Sequence, residues 1–174
     1  MIIHIIGRII AIFGAVLIIG ITGTSNGWIP PSGYIYFRGT NPYNFNIGSY
    51  FGYAQHGIVL NEYGGAYLKN EGDSYVSVWC SGSPVDLTNV STIRLYIRQI
   101  SGDDTGSQYI YLYYGSDRTA SREGYKKVSY TASYSGFSVD IDVSDITGSK
   151  YLGFEIDAGE TNTGILAVHA IQLL

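Results

Sequence analysis

Charge and cysteine are what this chain of 174 residues has least of. Only 14% of it is charged, 10 Lys and Arg standing against 14 Asp and Glu for a net charge of -4. The cations are scattered apart from Lys126-Lys127, so there is no electrostatic reason to approach a phosphate backbone, and nucleic acid is not an expected partner. A single cysteine, Cys80, rules out an intramolecular disulfide and a cysteine-built zinc cluster. It follows Val76, Val78 and Trp79 in an apolar run, which predicts a buried, inert thiol. The three histidines, His4, His56 and His169, lie far apart and belong to no metal-binding motif. Also missing are G-x-S-x-G, a phosphate loop, a dinucleotide fingerprint and a cysteine-nucleophile setting, so no enzymatic activity, cofactor or metal is expected.

What is plentiful is glycine, at 23 positions, and tyrosine, at 17. This mix favours strands, tight turns and a polar, weakly charged surface. The length provides one domain of about 140 residues with a sizeable core, preceded by an apolar leader.

That leader, residues 1–27, differs from everything after it. Its first 21 residues hold ten isoleucines and only His4 and Arg8 as polar side chains. Ile5, Ile6, Ile9, Ile10, Phe13, Val16, Leu17 and Ile18 must be covered by something other than water. Copies of the same chain are one cover: the arm is rich in β-branched residues and broken by Gly7, Gly14, Gly20 and Gly23, a spacing that permits either helix packing or short strands. A bilayer is another, because residues 2–21 match the length of a membrane-spanning helix. Arg8 and His4 precede that span and no cation follows until Arg38, so an anchor of this kind exports the rest of the chain. A processed signal is the third reading, although Thr22-Gly23-Thr24-Ser25-Asn26 contains no A-x-A-like site. Residues 28–33, with Pro30-Pro31-Ser32-Gly33, form a linker. Trp28 suits an interfacial ring if a membrane is present, or a packing residue at the base of the arm if not.

From residue 34 to 174 the hydrophobic period is two. Ile93, Leu95 and Ile97 alternate with Arg94, Tyr96 and Arg98; Ile110, Leu112 and Tyr114 with Tyr109, Tyr111 and Tyr113; Phe137, Val139, Ile141 and Val143 with Ser138, Asp140 and Asp142; Leu152, Phe154 and Ile156 with Gly153, Glu155 and Asp157. Turn clusters such as Gly115-Ser116-Asp117 and Thr147-Gly148-Ser149 separate these runs, and no stretch after Gly33 holds a helical period. The pattern predicts an all-β protein, an antiparallel β-sandwich or jelly roll. The closing stretch, Ile165 to Leu174, is apolar on both faces and is expected in the middle of a sheet.

The phrases Val85-Asp86-Leu87-Thr88-Asn89, Ser91-Thr92-Ile93-Arg94-Leu95, Phe137 through Gly148, Tyr151-Leu152-Gly153-Phe154 and the closing strand resemble the jelly-roll modules akin to carbohydrate-binding modules. Such modules occur on secreted surface proteins and on tail, baseplate or fibre proteins of bacteriophages infecting Gram-positive and gut bacteria. The resemblance covers about residues 35–174 and encodes strands and turns, not a ligand motif. It implies a sandwich displayed outside a cell or on a virion, with surface glycans as candidate partners.

Tyrosines are the most plausible functional resource, since exposed rings stack on sugar faces and the phenol adds a hydrogen bond. Tyr109, Tyr111 and Tyr113 fall on one sheet face, and Tyr96 is grouped with them as a further outward ring. The alternative is that these rings simply cover a sheet or a subunit interface. A structural calcium is conceivable at Asp103 and Asp104 or at Asp157 and Glu160, but neither loop has the spacing of a defined ion site. Asp140 and Asp142, two apart on one strand, are not opposed across a cleft as a glycosidase pair must be.

The expected function is therefore a non-enzymatic structural and adhesive subunit: an arm that assembles homo-oligomers and a sandwich displayed outward. The alternative is a membrane-anchored module binding carbohydrate or protein outside the cell. Deleting residues 1–21 is expected to convert defined oligomers into monomers, measured by light scattering in detergent-free buffer. A full-length chain that needs detergent for extraction is the result that favours the anchor.

Overall fold

The computed structural model describes residues 32–47, 66–69, 78–101, 108–157 and 165–174. Its strands are β1 (Tyr34–Phe37), β2 (Asn46–Ile47), β3 (Ala66–Lys69), β4 (Trp79–Cys80), β5 (Val85–Asp86), β6 (Thr92–Ser101), β7 (Gln108–Gly115), β8 (Gly124–Tyr130), β9 (Phe137–Asp142), β10 (Ser149–Asp157) and β11 (Ile165–Leu173). No helix occurs among the described residues. The arm residues Ile5, Ile6, Ile9, Ile10, Phe13, Val16, Leu17, Ile18 and Trp28 lie outside the described residues, as do Asp103, Asp104 and Glu160.

Every pairing is antiparallel, and the strands form two sheets. In the first, β11 is central. One edge pairs with β6 along its length. The other is shared by β1, opposite Ala170 to Gln172, and β3, opposite Ile165 to Val168. β9 closes this sheet beyond β6. In the second sheet β10 is central, with β7 along one edge and β4 and β5 dividing the other. β2 and β8 flank it. The result is the expected jelly-roll sandwich, with the last strand interior to a sheet.

The core follows from alternation. Ile93, Leu95, Ile97, Val139 and Ile141 of the first sheet face Ile110, Leu112, Leu152 and Phe154 of the second, all buried. Trp79 is the hub, with Tyr36 edge-on at 4.9 Å and Phe45 tilted at 5.0 Å. Such ring pairs add to the burial of their area. Burial pushes the Tyr36 phenol up to about 12.

In the sequence His169 alternates with apolar neighbours on the last strand, which predicts a buried imidazole, but that alternation is interrupted. Val168 pairs with Ile97 and Ala170 with Tyr96, leaving His169 as the extra residue of a β-bulge. His169 is half-buried and not the enclosed core imidazole that strict alternation implies.

Ser81 extends the β4–β10 ladder with its side chain. Its N–H donates to Leu152 O at 2.8 Å, and its Oγ accepts from Leu152 N–H at 3.0 Å. Both residues are fully buried. Ser81→Ala is expected to cost about 1–3 kcal/mol by orphaning the Leu152 N–H, against about 0.5 kcal/mol or less for exposed Ser129→Ala. Urea midpoints at unchanged m report the difference.

Candidate functional site

The outward face of the second sheet collects the aromatic side chains. Because β7 packs Ile110 and Leu112 inward, Tyr109, Tyr111 and Tyr113 point outward. Pairing with β8 sets Tyr113 beside Tyr125, Tyr111 beside Lys127 and Tyr109 beside Ser129. Pairing with β10 sets Tyr113 beside Gly153 and Tyr111 beside Glu155, and Gly153 in turn faces Cys80 on β4.

The Tyr111 and Tyr113 rings are nearly parallel, 10° apart with centroids at 6.0 Å. Tyr125 lies 6.0 Å from Tyr111 and 6.3 Å from Tyr113. Two cations ride on the rings: Arg122 Cζ is 4.6 Å from the Tyr113 centroid and 5.2 Å from that of Tyr125, while Lys127 Nζ is 3.7 Å from that of Tyr109 and 5.2 Å from that of Tyr111. The Tyr113 hydroxyl donates to Glu155 Oε2 at 2.5 Å. Exposure is graded across the face. Val78, Cys80, Tyr113 and Glu155 are buried at the β4 and β10 side, whereas Tyr125 on β8 is 52% exposed. Burial pushes the Cys80 thiol up despite the opposing charge of Arg118, so it is protonated and unreactive, as its setting in the sequence predicts.

Chemically the face offers the ring surfaces of Tyr109, Tyr111 and Tyr125 and the cationic donors Arg122 and Lys127, while the Glu155 carboxylate is buried against the Tyr113 hydroxyl. A ligand that stacks on Tyr109 must displace Lys127. The exposed Lys127 contact is worth only about 0.5–1 kcal/mol, so exchange at Tyr109 is cheap, whereas Tyr113 is buried beneath Arg122 and is not open to stacking. Tyr125 is the most open ring.

Tyr96, grouped with this row on sequence grounds, belongs elsewhere. It sits on β6 in the first sheet, where its hydroxyl donates to Gln172 Oε1 at 2.8 Å and its ring lies 6.2 Å from that of Tyr34. The correction is topological: equal outward orientation does not place two strands in one sheet. Sequence reasoning missed Tyr125, Arg122, Lys127 and Glu155. Neither the weakly patterned β8, where Tyr125, Lys127 and Ser129 alternate with Lys126, Val128 and Tyr130, nor the cross-strand approach of Glu155 gives a strong local signal. Asp140 is engaged by Arg94 through two 2.6 Å contacts, and Asp142 accepts from the Ser144 N–H and hydroxyl. These partners hold both carboxyls below their usual range. Among the described residues no cluster of three or more His, Cys, Asp or Glu side chains is placed to hold a metal ion.

Glu123 clamps the turn between β7 and β8, which carries Arg118 and Arg122. It accepts from the Ser116 N–H at 2.8 Å and from the Ser116 hydroxyl, and from Lys150 Nζ of β10 at 2.5 Å. With Lys150 first and Ser116 second as causes, its carboxyl is held down to about 2.

The sequence matches no protein-family model and no curated protein. Its fold, in contrast, is shared with solved carbohydrate-binding modules. A module of family 28, described as specific for non-crystalline cellulose, superposes with a TM-score of 0.55 at 12% identity, covering 87% of this chain and 96% of that one. A point mutant of a family 29 module gives 0.54 at 12% identity, covering 80% of this chain and 89% of that one. A second family 29 mutant gives 0.53 at 11%, covering 80% and 83%. The chain has the jelly-roll fold of carbohydrate-binding modules.

The depressed Glu123 carboxyl has a defined pH consequence. Its stabilising effect is complete above the ordinary glutamate value near ~4.3 and is lost as pH falls through about 2. Carboxyl titration by NMR is expected to show Glu123 ionised to about 2, and Lys150→Met is expected to return it toward the ordinary value.

Proposed function

We propose that this protein is a non-catalytic, glycan-binding β-sandwich displayed outside a cell or on a virion, and that its sugar platform is the tyrosine face of β7, β8 and β10. The observation that carries this reading is the convergence of the accessible rings of Tyr109, Tyr111 and Tyr125 on one sheet face, with Arg122 and Lys127 among them and the buried Tyr113–Glu155 pair beneath. Rings supply flat apolar area for the C–H face of a pyranose, and charged neighbours supply directional hydrogen bonds to its hydroxyls. The fold shared with carbohydrate-binding modules supports the same reading. The apolar arm, residues 1–27, fits the role of holding several copies together, making the protein a structural and adhesive subunit. A membrane anchor is the second reading, favoured by the 20-residue length of the apolar segment 2–21. No helix among the described residues is long and apolar enough to cross a membrane, and the arm lies outside them.

Because the neighbouring structures include a cellulose-specific module, soluble cellulose derivatives within a broad glycan array are the first ligands to test. Tyr125→Ala and Tyr111→Ala are each expected to weaken binding by about tenfold, ~1.4 kcal/mol. The melting temperature of the exposed Tyr125 variant should stay within a few degrees. Absence of any glycan signal from the full chain, or binding indifferent to both substitutions, overturns the proposal.

A further inference from the structure

On the outer side of the first sheet, away from the tyrosine face, a cleft of about 480 Å³ is lined by Arg38, Tyr96, Arg98, Ser135, Ser138 and His169. Its volume falls within the range of small-molecule sites, about 300–1,000 Å³. Three features of the fold build it. The turn after β1 is closed by the Phe37 N–H donating to Thr40 O at 3.0 Å and the Thr40 N–H donating to Phe37 O at 2.8 Å. Its two central residues, Arg38 and Gly39, both have positive φ, 45° and 86°. The His169 bulge holds that turn, since the Arg38 N–H donates to His169 O at 2.7 Å. Arg98 projects from β6 opposite Ala167, a methyl-sized neighbour that leaves its guanidinium exposed.

Arg38 is the informative residue. The left-handed conformation it adopts suits glycine or asparagine and penalises a long side chain. Its side chain is exposed, and its guanidinium lies over the Phe37 ring, 5.5 Å from the centroid, an exposed contact worth only about 0.5–1 kcal/mol. A two-residue turn of this kind requires positive φ at both central positions, so arginine is an uncommon occupant here. The lining holds two guanidiniums and no carboxylate. Asp140, the acid two residues from Ser138 on β9, is occupied by Arg94 at 2.6 Å. Tyr96 forms a wall whose orientation is fixed by Gln172 and Tyr34.

We propose that this cleft is a second binding site, specific for an acidic sugar. The pyranose carboxylate is held by the Arg38 and Arg98 guanidiniums, whose planar forks match a carboxylate. The ring lies along Tyr96, and its hydroxyls meet Ser135 and Ser138. The site differs from the tyrosine face in sheet, charge and lining residues, so either can fail without the other.

The test is titration of the full chain with digalacturonate, with its uncharged methyl ester, and with inorganic phosphate and acetate, followed by NMR and calorimetry. Digalacturonate is expected to bind, with the ester and both small anions at least about tenfold weaker. Arg38→Gly and Arg98→Ala are each expected to weaken digalacturonate binding by about tenfold. Arg38→Gly should also melt no lower than the parent, because glycine adopts this φ freely; loss of binding therefore cannot be ascribed to loss of fold. Tyr125→Ala should leave digalacturonate binding unchanged. The proposal is overturned if the full chain fails to bind digalacturonate, if the ester or phosphate binds equally well, if both arginine variants bind normally, or if Tyr125→Ala abolishes binding.

Discussion

The pairing of β7 with β10, seven residue pairs from Tyr151 opposite Gly115 to Asp157 opposite Tyr109, is the constraint on which the rest of the second sheet depends. Side chains alternate strictly along a strand, so a slip of one residue would drive Tyr109, Tyr111 and Tyr113 into the core and expel Ile110 and Leu112. The apolar set makes that slip prohibitively unfavourable. The tyrosine row is thus held outward by the packing of Ile110, Leu112, Leu152 and Phe154 on the other side of the same strands. Tyrosine face and core are two readings of one register.

Gly153 adds to this. Flanked by Tyr113 and Cys80, it leaves no side chain of its own on the outward face. The buried cluster of Val78, Cys80 and Tyr113 forms around that position, and the Tyr113 hydroxyl turns toward Glu155. The face is therefore firm on its β4 and β10 side and open at β8, where Tyr125 and Lys127 are exposed. Three ion pairs among the described residues brace the sheets: Arg94 with Asp140 ties β6 to β9, Lys126 with Asp145 ties β8 to the turn after β9, and Lys150 with Glu123 holds the β7–β8 turn. Each pair has a solvent-exposed carboxylate, and such pairs contribute little to stability by themselves.

Local periodicity carried most of the fold. The four alternating runs read from the sequence are β6, β7, β9 and β10, and the apolar closing stretch is the interior strand β11. What local pattern does not contain is pairing. Tyr96 and Tyr111 alternate in the same way, yet their strands lie in different sheets, because pairing is decided by contacts between residues far apart in the chain. The same limit hid Glu155, whose burial depends on Tyr113, 42 residues away. β8 escaped notice for another reason. Its inward side chains, Lys126, Val128 and Tyr130, are half-buried and partly polar, so the apolar rhythm is weak. The bulge at His169 is a two-against-one count between strands, legible only once β6 and β11 are paired.

The solitary thiol of Cys80, fully enclosed and kept protonated by burial, has a practical consequence. Alkylating reagents attack the thiolate, so the native chain is expected to react slowly with maleimides while folded. A cysteine introduced at an exposed strand position will then take a fluorophore or spin label alone, without removal of the natural one. Distances across either sheet can be measured in a molecule whose interior has not been altered.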